Sequence, residues 1–130
     1  MNKKFLFPVI AILFGVLPSC QKSMNENITG RWEKVDVTQI EPSTVSFWDF
    51  DSGKLIIYKA PADDPAAVSV VDSAFYAISG NPLQSKLVLF DAGNDLYNGE
   101  WDIVKLNDEE LILNLDIEGG VLFEEFIKIF

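Results

Sequence analysis

The sequence contains no histidine and a single cysteine, Cys20, among its 130 residues. Catalytic Ser-His-Asp and Cys-His arrangements need histidine, so both are excluded, together with zinc sites built on nitrogen or sulfur ligands. Paired carboxylates can hydrolyse glycosides, but here Asp and Glu concentrate in turn-like stretches, where such residues are typically solvated turn formers. We therefore expect a protein that is not an enzyme and holds no cofactor or catalytic metal.

Basic residues are also scarce, since 10 Lys and Arg stand against 20 Asp and Glu and the formal net charge is −10. A field of this sign repels nucleic acid, which we exclude as a partner. It favours either a basic protein partner or simply a solvated acidic surface.

Long apolar runs are limited to one, "FLFPVIAILFGV" from Phe5 to Val16, which follows Lys3 and Lys4. It is shorter than the ~20 residues that a membrane-spanning helix needs. A basic start followed by a short apolar run is typical of a signal peptide, which we assign to residues 1–19.

The run ends in "LPSC", Leu17 to Cys20, which resembles the bacterial lipobox. This resemblance implies cleavage before Cys20, a diacylglyceryl group on its thiol and a further acyl chain, such as palmitate, on the new amino terminus. Gln21 replaces the aspartate that retains many bacterial lipoproteins at the inner membrane, so the implied location is the outer membrane, with its surface and periplasmic faces both open. The alternatives are an ordinary secretory signal followed by a free cysteine, or an uncleaved membrane anchor.

The mature chain is then 111 residues long, from Cys20 to Phe130, and is large enough for one small domain. Loss of Lys3 and Lys4 leaves eight basic residues against 20 acidic ones, a net charge of −12. The polar residues 20–29 are interpreted as a lipidated tether, and folding is expected to begin near Gly30, which gives a domain over residues 30–130.

The domain shows short runs rich in β-branched and aromatic residues, separated by clusters of Gly, Pro, Asn and Asp. This pattern predicts eight strands and an all-β, up-and-down antiparallel barrel, which removes exposed sheet edges. A β-sandwich is the alternative. The predicted strands are Arg31–Ile40, Thr44–Phe50, Lys54–Ala60, Val68–Ser79, Leu83–Phe90, Glu100–Leu106, Leu111–Asp116 and Val121–Phe130.

The first strand opens with "GRW", Gly30 to Trp32, which resembles the G-x-W opening of lipocalins and of lipocalin-like domains in bacterial lipoproteins. The resemblance implies that Gly30 lets the entering chain bend, that Trp32 plugs one end of a barrel, and that Lys128 of the last strand lies over the indole. Lipocalins commonly have arginine at that position. The resemblance implies small-ligand binding only as a tendency of the family. The alternative is that Trp32 is a core aromatic residue of some other β fold.

Candidate ligand contacts are aromatic residues and one acidic residue of the predicted barrel. In the last strand, alternation suggests that Val121, Phe123, Ile127 and Ile129 face inward, together with Glu125. No inward cation is evident, so we expect a small apolar ligand that is neutral or cationic. The alternative is a protein-binding module, such as an inhibitor of a basic extracellular hydrolase. The candidate ligand residues are Trp48, Tyr58, Tyr76, Trp101 and Glu125.

The stretch "DAGND" from Asp91 to Asp95 offers oxygen ligands for calcium. It has neither the spacing nor the closing glutamate of an EF-hand loop. We interpret it as a bare surface loop.

Overall fold

A computed structural model describes residues 23–35, 43–81 and 83–130. Eight antiparallel strands follow one another around a closed barrel, and the first strand pairs with the last. This confirms the predicted up-and-down barrel, and the β-sandwich alternative is wrong. The strands are β1 (Gly30–Lys34), β2 (Thr44–Asp51), β3 (Lys54–Pro61), β4 (Ser69–Asn81), β5 (Gln84–Phe90), β6 (Gly99–Leu106), β7 (Glu110–Ile117) and β8 (Gly120–Lys128).

The bounds of β2 to β8 agree with the predicted strands within two residues at each end. The predicted continuation of β1 to Ile40 falls mostly on residues 36–42, which lie outside the described residues. The "DSG" turn between β2 and β3 has positive φ angles at Ser52 (51°) and Gly53 (85°). Two successive positive φ angles define the type I′ turn that matches the twist of a hairpin.

Residues 23–28 form a short helix, and this corrects the expectation that folding begins near Gly30. Ile28 is fully buried in the main core, and Met24 packs against that core. The two side chains are four residues apart, so they share one face of the helix. The segment assigned to a tether therefore belongs to the fold from residue 23 onward.

The core fills the inside of the barrel, where alternate residues of the strands point. Three tryptophans and two phenylalanines are its largest fully buried side chains, together with leucines and isoleucines from several strands. The short helix adds one of the isoleucines. The largest members are Trp32, Trp48, Trp101, Phe50 and Phe126.

The predicted facing of the final strand is wrong. Phe126 is fully buried and Glu124 is 7% exposed, so the inner face of β8 is the one that carries these two residues. Both faces of β8 carry several apolar residues, so a count of apolar residues could not separate them. Pairing of Phe126 with Lys34 of β1 sets the true register. The residues predicted to face inward are 47–58% exposed: Val121, Phe123, Ile127 and Ile129.

The up-and-down topology gives the barrel two distinct ends. We call one the helix end, because residues 23–28 lie there beside the start of β1 and the end of β8. It also carries the turns between β2 and β3, β4 and β5, and β6 and β7. The opposite loop end carries the connections formed by residues 62–68, 91–98 and 118–119.

Candidate functional site

The helix end of the barrel is closed by Trp32. Its indole N–H donates a 2.7 Å hydrogen bond to the carbonyl of Ile28, so the fully buried ring has its one polar atom satisfied. Lys128 Nζ lies 5.2 Å from the centroid of the indole and donates to the carbonyl of Asn27 at 3.1 Å. Gly30 has a φ of +131°, a value that side chains of L-residues rarely adopt. These residues join the helix, β1 and β8 at one point.

Aromatic rings occupy the middle of the barrel around Trp48. The Trp48 ring lies 4.8 Å from Phe126, 5.5 Å from Tyr97 and 6.2 Å from both Trp101 and Phe50, between ring centroids. Several of these pairs are tilted or edge-on, as aromatic rings prefer. A ligand that bound in this region would have to displace buried aromatic side chains.

The five candidate ligand residues do not come together in one site. Trp48, Tyr76 and Trp101 are buried in the core. Tyr58 lies on the outer side of the barrel, and the prediction that Glu125 faces inward is wrong because the inner face of β8 carries its neighbour Glu124. The proposed binding set is therefore divided between the core and the outer wall.

Tyr58 belongs to a cluster around Arg31, which the sequence analysis did not anticipate. The Arg31 guanidinium carbon lies 4.9 Å from the centroid of the Tyr58 ring and 5.3 Å from that of Phe130. The same guanidinium forms a 3.2 Å ion pair with Asp49 on the adjacent strand β2. Arginine stacked on rings and paired with a carboxylate is a common structural arrangement, so these contacts fix the outer wall beside β1.

The inner face of the barrel wall carries an ion pair that the sequence analysis also missed. Lys34 Nζ lies 2.9 Å from the carboxylate of Glu124, and the Lys34 side chain is 34% exposed whereas Glu124 is almost fully buried. Lys34 is two residues beyond Trp32 on β1, so both share the inner face. The expectation of no inward cation is therefore wrong, and the inference about ligand charge that depended on it loses that support.

The loop of residues 91–98 folds onto the loop end of the barrel, held by Asp72. The Asp72 carboxylate accepts hydrogen bonds from the backbone N–H groups of Gly93 (2.9 Å), Asn94 (3.0 Å) and Ser73 (2.7 Å). In the same loop, the carbonyl of Tyr97 accepts a 2.8 Å hydrogen bond from the indole of Trp101. Among residues 23–35, 43–81 and 83–130, no group of three or more His, Cys, Asp or Glu residues has an arrangement that could hold a metal ion.

The pKa of Asp72 lies below its ordinary value of 3.8. Desolvation alone would raise it, but the three backbone N–H groups favour the charged form and outweigh that effect. A carboxyl group with a lower pKa in the folded than in the unfolded protein stabilises the fold at pH values above its unfolded-state pKa. This stabilisation is lost as the pH falls through the folded-state pKa. Attachment of the loop should therefore weaken below about pH 4.

We predict that Asp72→Ala removes this acid-sensitive attachment. Hydrogen-exchange protection of the Gly93 and Asn94 amides should be lower in the variant at pH 6. As the pH falls below about 4, protection in the wild type should decrease toward the level of the variant. Asp63→Ala, in the exposed loop of residues 62–68, is the control and should behave as the wild type. Equal protection in wild type and Asp72→Ala at pH 6 would contradict the role of Asp72.

The outer side of β8 and of the residue that follows it carries exposed apolar side chains, with one carboxylate, Glu125, among them. We call the apolar set the β8 face: Val121, Phe123, Ile127 and Ile129. Carboxylate residues stand opposite it on the adjacent strands. Asp116 pairs with Val121 and Glu110 with Ile127 on β7, while Glu33 of β1 also pairs with Ile127. Apolar centres with polar margins are typical of protein interaction surfaces.

A surface cleft of about 520 Å³ lies where the start of β6 diverges from the end of β7. Its wall combines carboxylates with apolar side chains and one lysine, Lys86, so it is predominantly acidic. Lys86 forms an ion pair with one of these carboxylates, Glu100, at 3.4 Å. The residues that line the cleft include Asp95, Leu96, Glu100, Asp102, Leu115, Asp116 and Ile117.

Cys20 and residues 1–19 lie outside the described residues. Within the described part of the chain, no helix is long and apolar enough to span a bilayer. No protein-family model matches the chain, and comparisons with curated proteins and with solved structures give no match either.

Proposed function

We propose that this chain is a lipid-anchored, non-enzymatic binding protein of the bacterial outer membrane, and that its β8 face docks a basic protein. The described residues form a closed barrel with an interior occupied by aromatic rings, so the proposed binding surface lies on its outside. The closed eight-stranded topology and the position of Trp32 support the resemblance to lipocalin-like domains.

The lipid anchor is proposed at Cys20. The "LPSC" stretch ends an apolar run of signal-peptide length, and the chain has no second cysteine for an internal disulfide. A single acyl chain holds a protein to a membrane only marginally, whereas two or more anchor it stably. A triacylated Cys20 would therefore keep the barrel at the membrane surface.

The β8 face is the observation that favours a protein partner. Four apolar side chains, each 47–58% exposed, lie on the outer side of β8 and of the residue after it, with Glu125 between Phe123 and Ile127. Their acidic neighbours, and a net charge of −12 for the mature chain, favour a partner with basic residues around an apolar contact. This arrangement fits the inhibitor of a basic extracellular hydrolase better than it fits a carrier with an internal pocket.

Calorimetric titration with a basic lysozyme as the probe tests this proposal. We expect binding that weakens as salt is raised, because exposed charges are screened. Phe123→Ser should raise the Kd about tenfold, as loss of a central apolar contact typically does. The matched control is Phe75→Ser on the far side of the barrel, where Phe75 is similarly exposed at 47% and stacks on Phe90. The proposal fails if the wild type does not bind, or if both variants weaken binding equally.

A small cationic apolar ligand is the second candidate, favoured by the cleft between β6 and β7. Its volume of about 520 Å³ lies in the range of small-molecule sites, and its carboxylates suit an ammonium group beside an alkyl chain. Titration with a long-chain amine and with the matching fatty acid distinguishes this candidate. If the wild type binds the amine more tightly than the acid, and Asp116→Asn abolishes this preference, the cleft is supported as the binding site. Equal binding of the amine and the acid to the wild type excludes it.

A further inference from the structure

We propose that the helix end of the barrel rests on the lipid headgroups, with Leu83 before β5 and Phe130 after β8 as apolar contacts. This inference depends on the proposed acylation of Cys20. Acylation of Cys20 alone does not specify which surface of the barrel contacts the membrane. In the proposed orientation the helix end contacts the headgroups and the loop end faces away from the bilayer.

The distance along the chain from Cys20 to the fold is short. Only Gln21 and Lys22 separate Cys20 from the helix that begins at Ser23. Three residue steps span at most about 11 Å even when fully extended. The headgroup region on each side of the hydrocarbon core is roughly 5–8 Å thick. Acyl chains on Cys20 would therefore hold the start of the helix close to the headgroups.

The helix is held against the barrel by contacts with two different strands. Ser85 of β5 donates a 3.3 Å hydrogen bond to the sulfur of Met24. Lys128 of β8 donates a 3.1 Å hydrogen bond to the carbonyl of Asn27. An anchor close to this helix therefore limits how far the whole barrel can tilt or withdraw from the membrane.

Exposed apolar side chains stand next to both contacts. Leu83 is 98% exposed in the turn between β4 and β5, two residues before Ser85. Phe130 is 70% exposed, two residues after Lys128. Leucine and phenylalanine gain free energy when they leave water for the headgroup and acyl boundary. Both side chains are therefore exposed at the end of the barrel that the anchor would hold near the headgroups.

Charge at the loop end opposes the reverse orientation. The loops of residues 62–68, 91–98 and 118–119 contain Asp63, Asp64, Asp91, Asp95 and Glu118, and no Lys or Arg. Such an end is repelled by anionic headgroups. Carboxylates also lie at the helix end, but three lysines at the same end offset part of their charge. The carboxylates are Glu26, Asp51, Asp108, Glu109 and Glu110, and the lysines are Lys54, Lys105 and Lys128.

Site-directed fluorescence of the acylated mature protein, Cys20 to Phe130, in phospholipid vesicles tests the orientation. Acylation blocks the thiol of Cys20, so Leu83→Cys creates the sole reactive thiol for an environment-sensitive dye. Phe130→Cys provides a second position at the helix end. Ala66→Cys, in an exposed loop at the loop end, is the control. Leu83 and Ala66 are exposed, so their labelled variants should keep the wild-type melting behaviour. Phe130→Cys also removes the ring that stacks on Arg31, so its fold is checked by a thermal melt before labelling.

We expect blue-shifted emission and several-fold slower quenching by a water-soluble quencher at positions 83 and 130 than at position 66. Equal quenching at all three positions in vesicle-bound protein would overturn the orientation while leaving the anchor intact. Protection that disappears when protein is diluted into excess lipid would indicate contact between copies, and would also overturn it. Absence of the protein from the vesicle fraction would refute the anchor itself, and the orientation with it.

Discussion

Truncation of Trp32 to alanine should destabilise the barrel by about 3–5 kcal/mol, the usual cost of deleting a large buried aromatic side chain. The ring is fully buried, its N–H bonds to the carbonyl of Ile28, and Lys128 covers it. A domain of this size has a free energy of unfolding of roughly 5–15 kcal/mol, so the variant should be marginally folded. Urea denaturation followed by circular dichroism measures the change.

Phe123→Ala is the matched control for this measurement. Phe123 is an aromatic residue of a strand, but its side chain is 56% exposed on the β8 face. Its removal should cost less than about 1 kcal/mol, because little apolar area returns to water. Similar losses for the two variants would show that Trp32 does not close the barrel, and the lipocalin resemblance would lose its structural support.

Substitution of Gly30 by alanine should cost on the order of 3 kcal/mol, from backbone strain and from lost hydrogen bonds. The φ of +131° is unfavourable for any residue with a Cβ, and a Cβ at this position would collide with the carbonyl oxygen of Phe130. That carbonyl accepts a 2.8 Å hydrogen bond from Arg31, and the Arg31 carbonyl accepts another from Ile129. The collision therefore disrupts the pairing that joins the ends of β1 and β8.

Gly119→Ala separates the two contributions. Gly119 also has a positive φ, +90°, but a Cβ there would meet nothing within 4 Å. This control should show the conformational cost alone, about 1–2 kcal/mol. Thermal or urea melts of both variants give the comparison, and equal losses would mean that the Phe130 contact contributes nothing.

Strand positions were predictable from the sequence because turn residues separate the apolar runs. The stretch Asp51–Gly53, for example, places three turn-forming residues between two apolar runs, which is typical of a hairpin. Closure of the barrel was predictable from the same pattern, since a chain of strands joined by short turns leaves two edges to be paired. Gly30 and Trp32 were identifiable because their positions at the start of β1 match a known opening.

The facing of β8 was not predictable, because apolar residues occupy both sides of this strand. The inner side is determined by contacts distant in sequence, chiefly the packing of Phe126 against Trp48. The Lys34–Glu124 pair was missed for the same reason, since its partners come from β1 and β8 and meet only in the closed barrel. The helix of residues 23–28 is short and polar on one side, and only Met24 and Ile28 signalled that it packs.

The β8 face and the cleft between β6 and β7 also arise from three-dimensional arrangement. Phe123 and Ile127 resemble core residues in the sequence and become surface residues only through the register of β8. β6 and β7 are paired from Asp102 and Asn114 to Leu106 and Leu111. The start of β6 and the end of β7 lie beyond these pairs and diverge, which leaves the cleft between them. A sequence pattern cannot show where two paired strands separate.

Acylation of Cys20 is the central claim, because location, orientation and access to an envelope partner all follow from it. Intact-mass spectrometry of the protein purified from membranes of producing bacteria tests it most directly, with Cys20→Ala as the control. We expect the wild-type mass to equal the chain from Cys20 to Phe130 plus a diacylglyceryl group and one acyl chain, and we expect Cys20→Ala to retain residues 1–19 without lipid. A wild-type mass that corresponds to an unmodified chain, whether cleaved or uncleaved, would contradict the account.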